Sequence, residues 1–322
     1  MDTNPRPDAA PEPVPPDSAS HPAFPLAATR STAPLSSPWQ IPNGPGGLYL
    51  IVRWLIYLVL GYGFFRLLND FFHELMPRTG RSIAWNLLPQ AALMLAAILP
   101  GFVMARIENR PFGAFGLPVN GAFRRNFWVG TLWGLGSLGV LMLILRATGA
   151  FEFGALSIHG RGIAKYGLYY ALLFLMVGLF EEFLARGYSQ WVLTQGMNFW
   201  PAAVLLSAGF GALHGPNAGE SKVGLAAVAC LGFFFCLTLR RTGDLWWAVG
   251  FHAAWDWGES FFFSVPDSGA MMPGHLLNSS FHGPPWLTGG SVGPEGSMLV
   301  FVLIAVMWAL FNRVYPDAKF GD

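Results

Sequence analysis

Eight apolar runs of about 15 to 25 residues recur along the chain, near 47–68, 83–105, 127–145, 166–193, 200–216, 223–239, 245–265 and 298–314. A helix needs about 20 such residues to cross roughly 30 Å of hydrocarbon, and in that solvent every backbone polar group must be satisfied within the segment. Runs of this length are long enough to cross as helices, so the expectation is an all-α polytopic membrane bundle of about eight transmembrane helices. Composition agrees: 53% of the 322 residues are hydrophobic and 11% charged, and the mean hydropathy is +0.44, too apolar for a soluble domain of this length.

The runs differ in character. The first is interrupted by Arg53 and Arg66, and the fifth is short enough to tilt or stop within the membrane. Residues 1–46 ("PEPVPPDSAS", "STAPLSSPWQ") lack apolar periodicity and read as a disordered Pro/Ala/Ser-rich tail preceding a membrane domain over 47–322. If all eight runs cross, the side holding both termini carries ten Lys and Arg residues against six on the other. The positive-inside rule then places both termini in the cytoplasm, with a plasma (inner) membrane as the expected location.

A net charge of +1 with no basic stripe offers nothing to neutralise phosphates, so nucleic acid is not an expected partner. Cys230 and Cys236, six apart in one apolar run, fit neither a redox pair nor a zinc knuckle and read as packing residues. No internal repeat or matched pair of broken helices speaks for a transporter.

Charge is scarce, yet it is concentrated in three of the runs: Glu181, Glu182 and Arg186 in the fourth, His214 in the fifth, and His252, Asp256 and Glu259 in the seventh. Each ionisable group at a helix centre costs about 2.5 to 3.5 kcal/mol on insertion scales, and groups that persist there face a bundle interior or water. With a turn near 195–198, Glu182 and His214 lie about 20 to 26 Å from it at 1.5 Å per residue, and a second turn near 241–244 puts His252 and Asp256 about 13 to 20 Å deep. All can reach one chamber. Glu182 and Arg186, four apart in the favourable order, make a structural ion pair. Glu181 lies about 100° round the helix and is left as a free carboxylate, a candidate general base.

Each group also has a plainer reading. A Glu–Arg pair can merely neutralise itself at a helix end, and a lone membrane histidine can be packed and satisfied. Glu259 reads as solvated near a helix end. His275 and His282 fall in the Gly- and Pro-rich 266–296 loop as ordinary exposed histidines, and Trp246, Trp247, Trp255 and Trp257 read as interface and packing aromatics. The combined set is harder to dismiss, because three helices would need independent reasons for their cost.

"EEFLAR" at 181–186, "FGALH" at 210–214 and "HAAWD" at 252–256 resemble, in this order, the three motifs of the CPBP family of CAAX proteases and bacteriocin-processing enzymes: E-E-x-x-x-R, F-x-x-x-H and H-x-x-x followed by Asn or a similar polar residue. The resemblance covers about 166–264, the expected catalytic core, and "RPFGAFGLP" at 110–118 is similar to the family's membrane-border segment. It implies an intramembrane endopeptidase acting on a membrane-associated, in some relatives prenylated, protein or peptide, with the lipid bilayer and that substrate as partners. It further implies that Glu181 activates water, that His214 orients or deprotonates it, and that His252 with the residue at 256 stabilises the oxyanion, with Phe210 supporting its motif. Asp256 departs from the family's frequent Asn and can donate a hydrogen bond only when protonated; otherwise it orients His252 or ligates a metal.

Metal dependence stays open at this level. His214, His252 and Glu181 would make a chemically sensible zinc set, but a glutamate base with histidine donors needs no cofactor, and the metal-free form is favoured in the absence of H-E-x-x-H. Two other classes share the same residues: a catalytically silent scaffold or immunity protein binding peptide or lipid in the chamber, and a proton-coupled transporter.

Overall fold

The computed structural model describes Met1 and residues 47–76, 83–217 and 219–321; the tail expected over 1–46 otherwise lies outside the described residues. The chain is an all-α membrane bundle. In order come α1 (Gly47–Leu75), α2 (Leu87–Ile107), α3 (Arg125–Ala147), the two-residue strand β1 (Phe151–Glu152), α4 (Arg161–Arg186), α5 (Tyr188–Met197), α6 (Phe199–Leu213), α7 (Lys222–Thr242), α8 (Trp246–Trp257), β2 (Ser280–Phe281), α9 (Pro285–Thr288) and α10 (Leu299–Val314). Five described segments are long and apolar enough to span a bilayer: Tyr49–Leu75, Leu87–Ile107, Arg125–Ala147, Arg161–Met197 and Lys222–Thr242. α6 and α10 are apolar but shorter. Outward faces are greasy, with Leu132, Leu143, Val302 and Val306 exposed, as acyl chains rather than water would favour.

The expected fourth run is two helices. At Gly187 the backbone leaves helical geometry (φ −80°, ψ −116°) while its N–H still donates to Phe183 O at 2.9 Å. A Cβ there would collide with the Phe183 carbonyl and ring, so glycine permits a break that places Arg186 at the end of α4. The fifth run also ends early: α6 has 15 residues, about 22 Å at 1.5 Å each, and His214 lies in the turn just past its end.

Interhelical approach is closest between α3 and α8. Cβ atoms on Gly130 and Gly134 would strike the Trp247 and Phe251 carbonyls, and one on Gly250 would strike that of Phe127. Small residues let the two backbones touch, the usual basis of packing where lipid removes the hydrophobic drive. Entry into α8 is fixed by Asp244, whose carboxylate accepts Trp246 N–H at 3.0 Å and the Asn126 amide at 2.9 Å. The four tryptophans serve packing: Trp247 is fully buried, Trp246 donates to Pro118 O at 2.8 Å, and Trp257 donates to Gly167 O at 3.0 Å. Cys236 is buried, as a packing residue should be; Cys230 is exposed on the outer face of α7.

Arg53, an interruption in sequence, is anchored. It pairs with Glu108, which also accepts the Tyr188 hydroxyl at 2.5 Å, tying α1 to α2 and α5. Arg66 instead meets Asp70 at 3.7 Å on the surface.

Glu259, expected at a solvated helix end, is fully buried. α8 does not stop at a surface but runs on into a π-helix, Gly258–Phe263, and the 266–296 loop folds back over it. That loop is ordered by β2, which pairs antiparallel with β1 (Phe151 opposite Phe281), by α9 and by a 3₁₀ turn at Pro294–Gly296. His282 is exposed and 3.7 Å from Glu152, and His275 Nδ1 meets Met272 O at 3.0 Å.

Candidate active site

A chamber of about 940 Å³ opens between α4, α6, α7 and α8, beneath the start and end of the 266–296 loop. α4 supplies Val177, Phe180, Glu181, Leu184 and Ala185 to its wall, spaced three and four apart and therefore on one face. Glu181 is the carboxylate in that stripe. Glu182, one residue on, points away from the chamber and has no exposure at all.

Both histidines reach Glu181. His214 Nε2 is 3.8 Å and His252 Nε2 3.6 Å from Glu181 Oε2. These gaps exceed a direct hydrogen bond and suit groups that share a water. His214 is set by Phe210: Nδ1 is 2.8 Å from the Phe210 carbonyl, and the two rings meet edge-on with centroids 4.8 Å apart. A carbonyl only accepts, so Nδ1 carries the proton, and in the neutral ring Nε2 presents a lone pair towards Glu181.

His252 is held from the other direction. Its Nδ1 is 2.9 Å from Glu182 Oε1, its ring stacks on Phe235, and its Nε2 lies 3.4 Å from Asp256 Oδ2 as well as near Glu181. Nδ1–H donating to Glu182 leaves Nε2 facing the chamber, beside two carboxylates to which an N–H can donate.

The expected Glu182–Arg186 pair forms, at 3.1 Å, with both side chains fully buried. The sequence did not indicate that Glu182 Oε1 serves His252 too. Phe210 likewise has a second task, since the Arg186 guanidinium lies over its ring at 4.1 Å, a cation–π contact for a charge away from water. Thus Glu181, Glu182, Arg186, Phe210, His214, His252 and Asp256 all converge, in two layers: Glu181, His214, His252 and Asp256 line the chamber, and Arg186 and Glu182 lie behind them.

Asp267, Ser268 and Glu295, passed over in sequence because they fall in a loop, also line the chamber. Two carboxylates in a charge-poor chain were the available signal. Burial pushes both above the usual carboxylate range, with Asp256 and Glu295 adding repulsion at Asp267, while Ser268 donors oppose the shift at Glu295.

The residues weighed for zinc from sequence gather at one point: His214 Nε2 and His252 Nε2 lie 3.8 and 3.6 Å from Glu181 Oε2, while His252 Nδ1 is engaged by Glu182. Among the described residues, Glu259, Asp267 and Glu295 form a second, all-carboxylate group, with one oxygen of each within 4.8 Å of the others.

Residues 163–258 match the family described as Type II CAAX prenyl endopeptidase Rce1-like. No curated protein and no solved structure matches the chain. The matched stretch contains all three motifs, in agreement with the CPBP resemblance, and it is a protease domain.

Proposed function

We propose that this integral membrane protein, a CAAX-type endopeptidase by its 163–258 domain, hydrolyses a peptide bond of a membrane-associated substrate by direct attack of a water activated at Glu181. The observation that carries this reading is the placement of one chamber-facing carboxylate within 3.6 and 3.8 Å of two imidazole Nε2 atoms held in different roles.

A water against these three atoms meets two acceptors, Glu181 Oε2 and the His214 Nε2 lone pair, which orient its protons and aim an oxygen lone pair at the substrate carbonyl carbon. Glu181 takes one proton as the C–O bond forms. The carbonyl oxygen becomes an oxyanion and receives the Nε2–H of His252, held for that purpose by Glu182; Asp256, in its acid form, supplies a second donor. As the tetrahedral species collapses, the C–N bond breaks and Glu181 returns its proton to the leaving amine. No metal is required for these steps. The apolar remainder of the chamber, Leu173, Val177, Leu205 and Leu206 among its lining, suits a substrate segment that arrives through lipid.

In this reading 1–46 is a tail with no part in the chemistry, 47–322 is the membrane domain, and both termini face the cytoplasm of a plasma-membrane protein.

The test is substrate trapping. The Glu181→Ala protein, expressed in its native membrane and purified, should retain peptides identifiable by mass spectrometry, and the wild-type protein should cleave those same peptides. Peptides that bind but stay intact with the wild type would make the protein a silent scaffold.

A further inference from the structure

Behind the roof of the chamber, three carboxylates from separate parts of the chain meet: Glu259 from the π-helix that prolongs α8, Asp267 from the start of the loop, and Glu295 from the 3₁₀ turn at its end. One oxygen of each lies within 4.8 Å of the other two. Glu259 is fully buried, and neither of its carboxylate oxygens has a hydrogen-bond partner; the Trp255 indole N–H approaches it without reaching hydrogen-bond geometry and is itself unpartnered. A buried carboxylate with no donor and two other acids as neighbours lacks a counter-charge.

The other two acids are oriented. Ser260 Oγ donates to Asp267 Oδ2 at 3.1 Å, and Ser268 N–H donates to Glu295 Oε1 at 2.6 Å. Each of these two bonds engages a single carboxylate oxygen. Outer hydrogen bonds that fix one oxygen and leave the other to a ligand are a recurring feature of cation sites. Asp267 and Glu295 also border the chamber, which provides an entry path.

We propose that Glu259, Asp267 and Glu295 form a binding site for one hard divalent cation, calcium or magnesium, which clamps the 266–296 loop to the helix carrying His252. An all-oxygen donor set excludes a preference for zinc or copper, and three carboxylates supply only part of a six- to eight-fold shell, leaving the rest to water and carbonyls. The site is separate from Glu181, His214 and His252, and its role is to hold the roof of the chamber rather than to activate water.

The experiment uses the full chain in detergent, stripped with EDTA, with calcium chloride and magnesium chloride titrated separately while binding is followed by calorimetry and unfolding by a thermal ramp. Wild-type protein should bind one equivalent of one of them and unfold about 5 °C higher at saturation. Glu259→Gln should lose both effects and, without cation, be at least as stable as stripped wild type. Glu295→Gln carries the same comparison if the first variant folds poorly. No binding and no shift with either salt would overturn the proposal and leave three acids sharing protons; an undiminished shift in both variants would overturn it by placing the cation elsewhere. Cleavage is not the readout, so the outcome is independent of the endopeptidase reading.

Discussion

Glu182 Oε1 receives the Nδ1 edge of His252 at 2.9 Å, across 70 residues of sequence, and the same oxygen accepts Arg186 Nη1 at 3.1 Å. Adjacent Glu181 lies 3.6 Å from the opposite nitrogen of that imidazole. Two consecutive glutamates thus bracket one ring, because 100° of helical rotation turns one towards the chamber and the other into the packed interface with α8. The doublet puts one carboxylate in the chamber wall and one behind it, against the histidine.

Glu182→Gln should lower kcat about 10- to 100-fold while KM changes little. The amide oxygen can still accept from His252 and Arg186, so position survives while the charge opposing an imidazolium is lost. Steady-state kinetics on one trapped peptide decide it. A change of less than twofold would reduce Glu182 to a partner for Arg186 alone.

Arg186→Ala leaves the buried Glu182 with His252 alone and no arginine charge, and should cost about 3 to 5 kcal/mol of stability, with expression and activity falling together. Gly232→Ala approaches the same arginine from α7: its Cβ would press on Arg186 Nη2 and lie 3.2 Å from Phe210 Cδ1. Overpacking of this kind costs about 1 to 3 kcal/mol. Thermal unfolding of both variants checks the order. A stable but inactive Arg186→Ala protein would instead put the arginine in the chemistry.

Apolar run length made the helices legible in sequence, because hydrocarbon demands nearly continuous greasy segments. The break at Gly187 was not, since a glycine in a membrane helix is as often a packing residue as a hinge, and only the crowding by Phe183 decides which. Motif spacing was enough to bring Glu181, His214 and His252 towards one another. It carried no information on Glu182 and His252, whose contact depends on how α4 rotates against α8. Glu259 was misread because its setting is made by a loop that closes over it, and loop packing leaves no periodic trace.

Glu181→Gln should remove activity by a factor of about 10² to 10⁴ with the fold intact, since the change keeps volume and deletes the basic carboxylate. Glu181 makes no ion pair as close as Glu182's, so thermal unfolding should move little. Unchanged turnover in a well-folded variant would end its assignment as base.

Asp244 lies outside the spans, and burial pushes its carboxyl up to about 6, against the donors of Asn126 and Trp246 that favour ionisation. The folded state therefore holds this proton more tightly than the unfolded one. Its contribution is full below about pH 4 and declines as pH rises towards 6. The stability of wild type relative to Asp244→Asn should fall across that window and flatten above it. A difference that rises with pH instead would mean the capping donors outweigh burial.

Asp256 separates two mechanisms, because its Oδ2 lies 3.4 Å from His252 Nε2 at a position where the resembled family often has Asn. If Asp256 in its acid form donates to the oxyanion, Asp256→Asn keeps or raises the rate, since an amide donates without a proton. If its charge instead orients His252 or holds a metal there, the amide should cost a large factor, as when the carboxylate behind a catalytic histidine is replaced. The expected outcome is an active Asp256→Asn enzyme beside an inactive His252→Ala one, with no stoichiometric zinc in either. Rates on one peptide and metal analysis of the same preparations decide together. An inactive Asp256→Asn protein with one zinc per wild-type chain would move His214 and His252 into a metal site and remove the direct water mechanism.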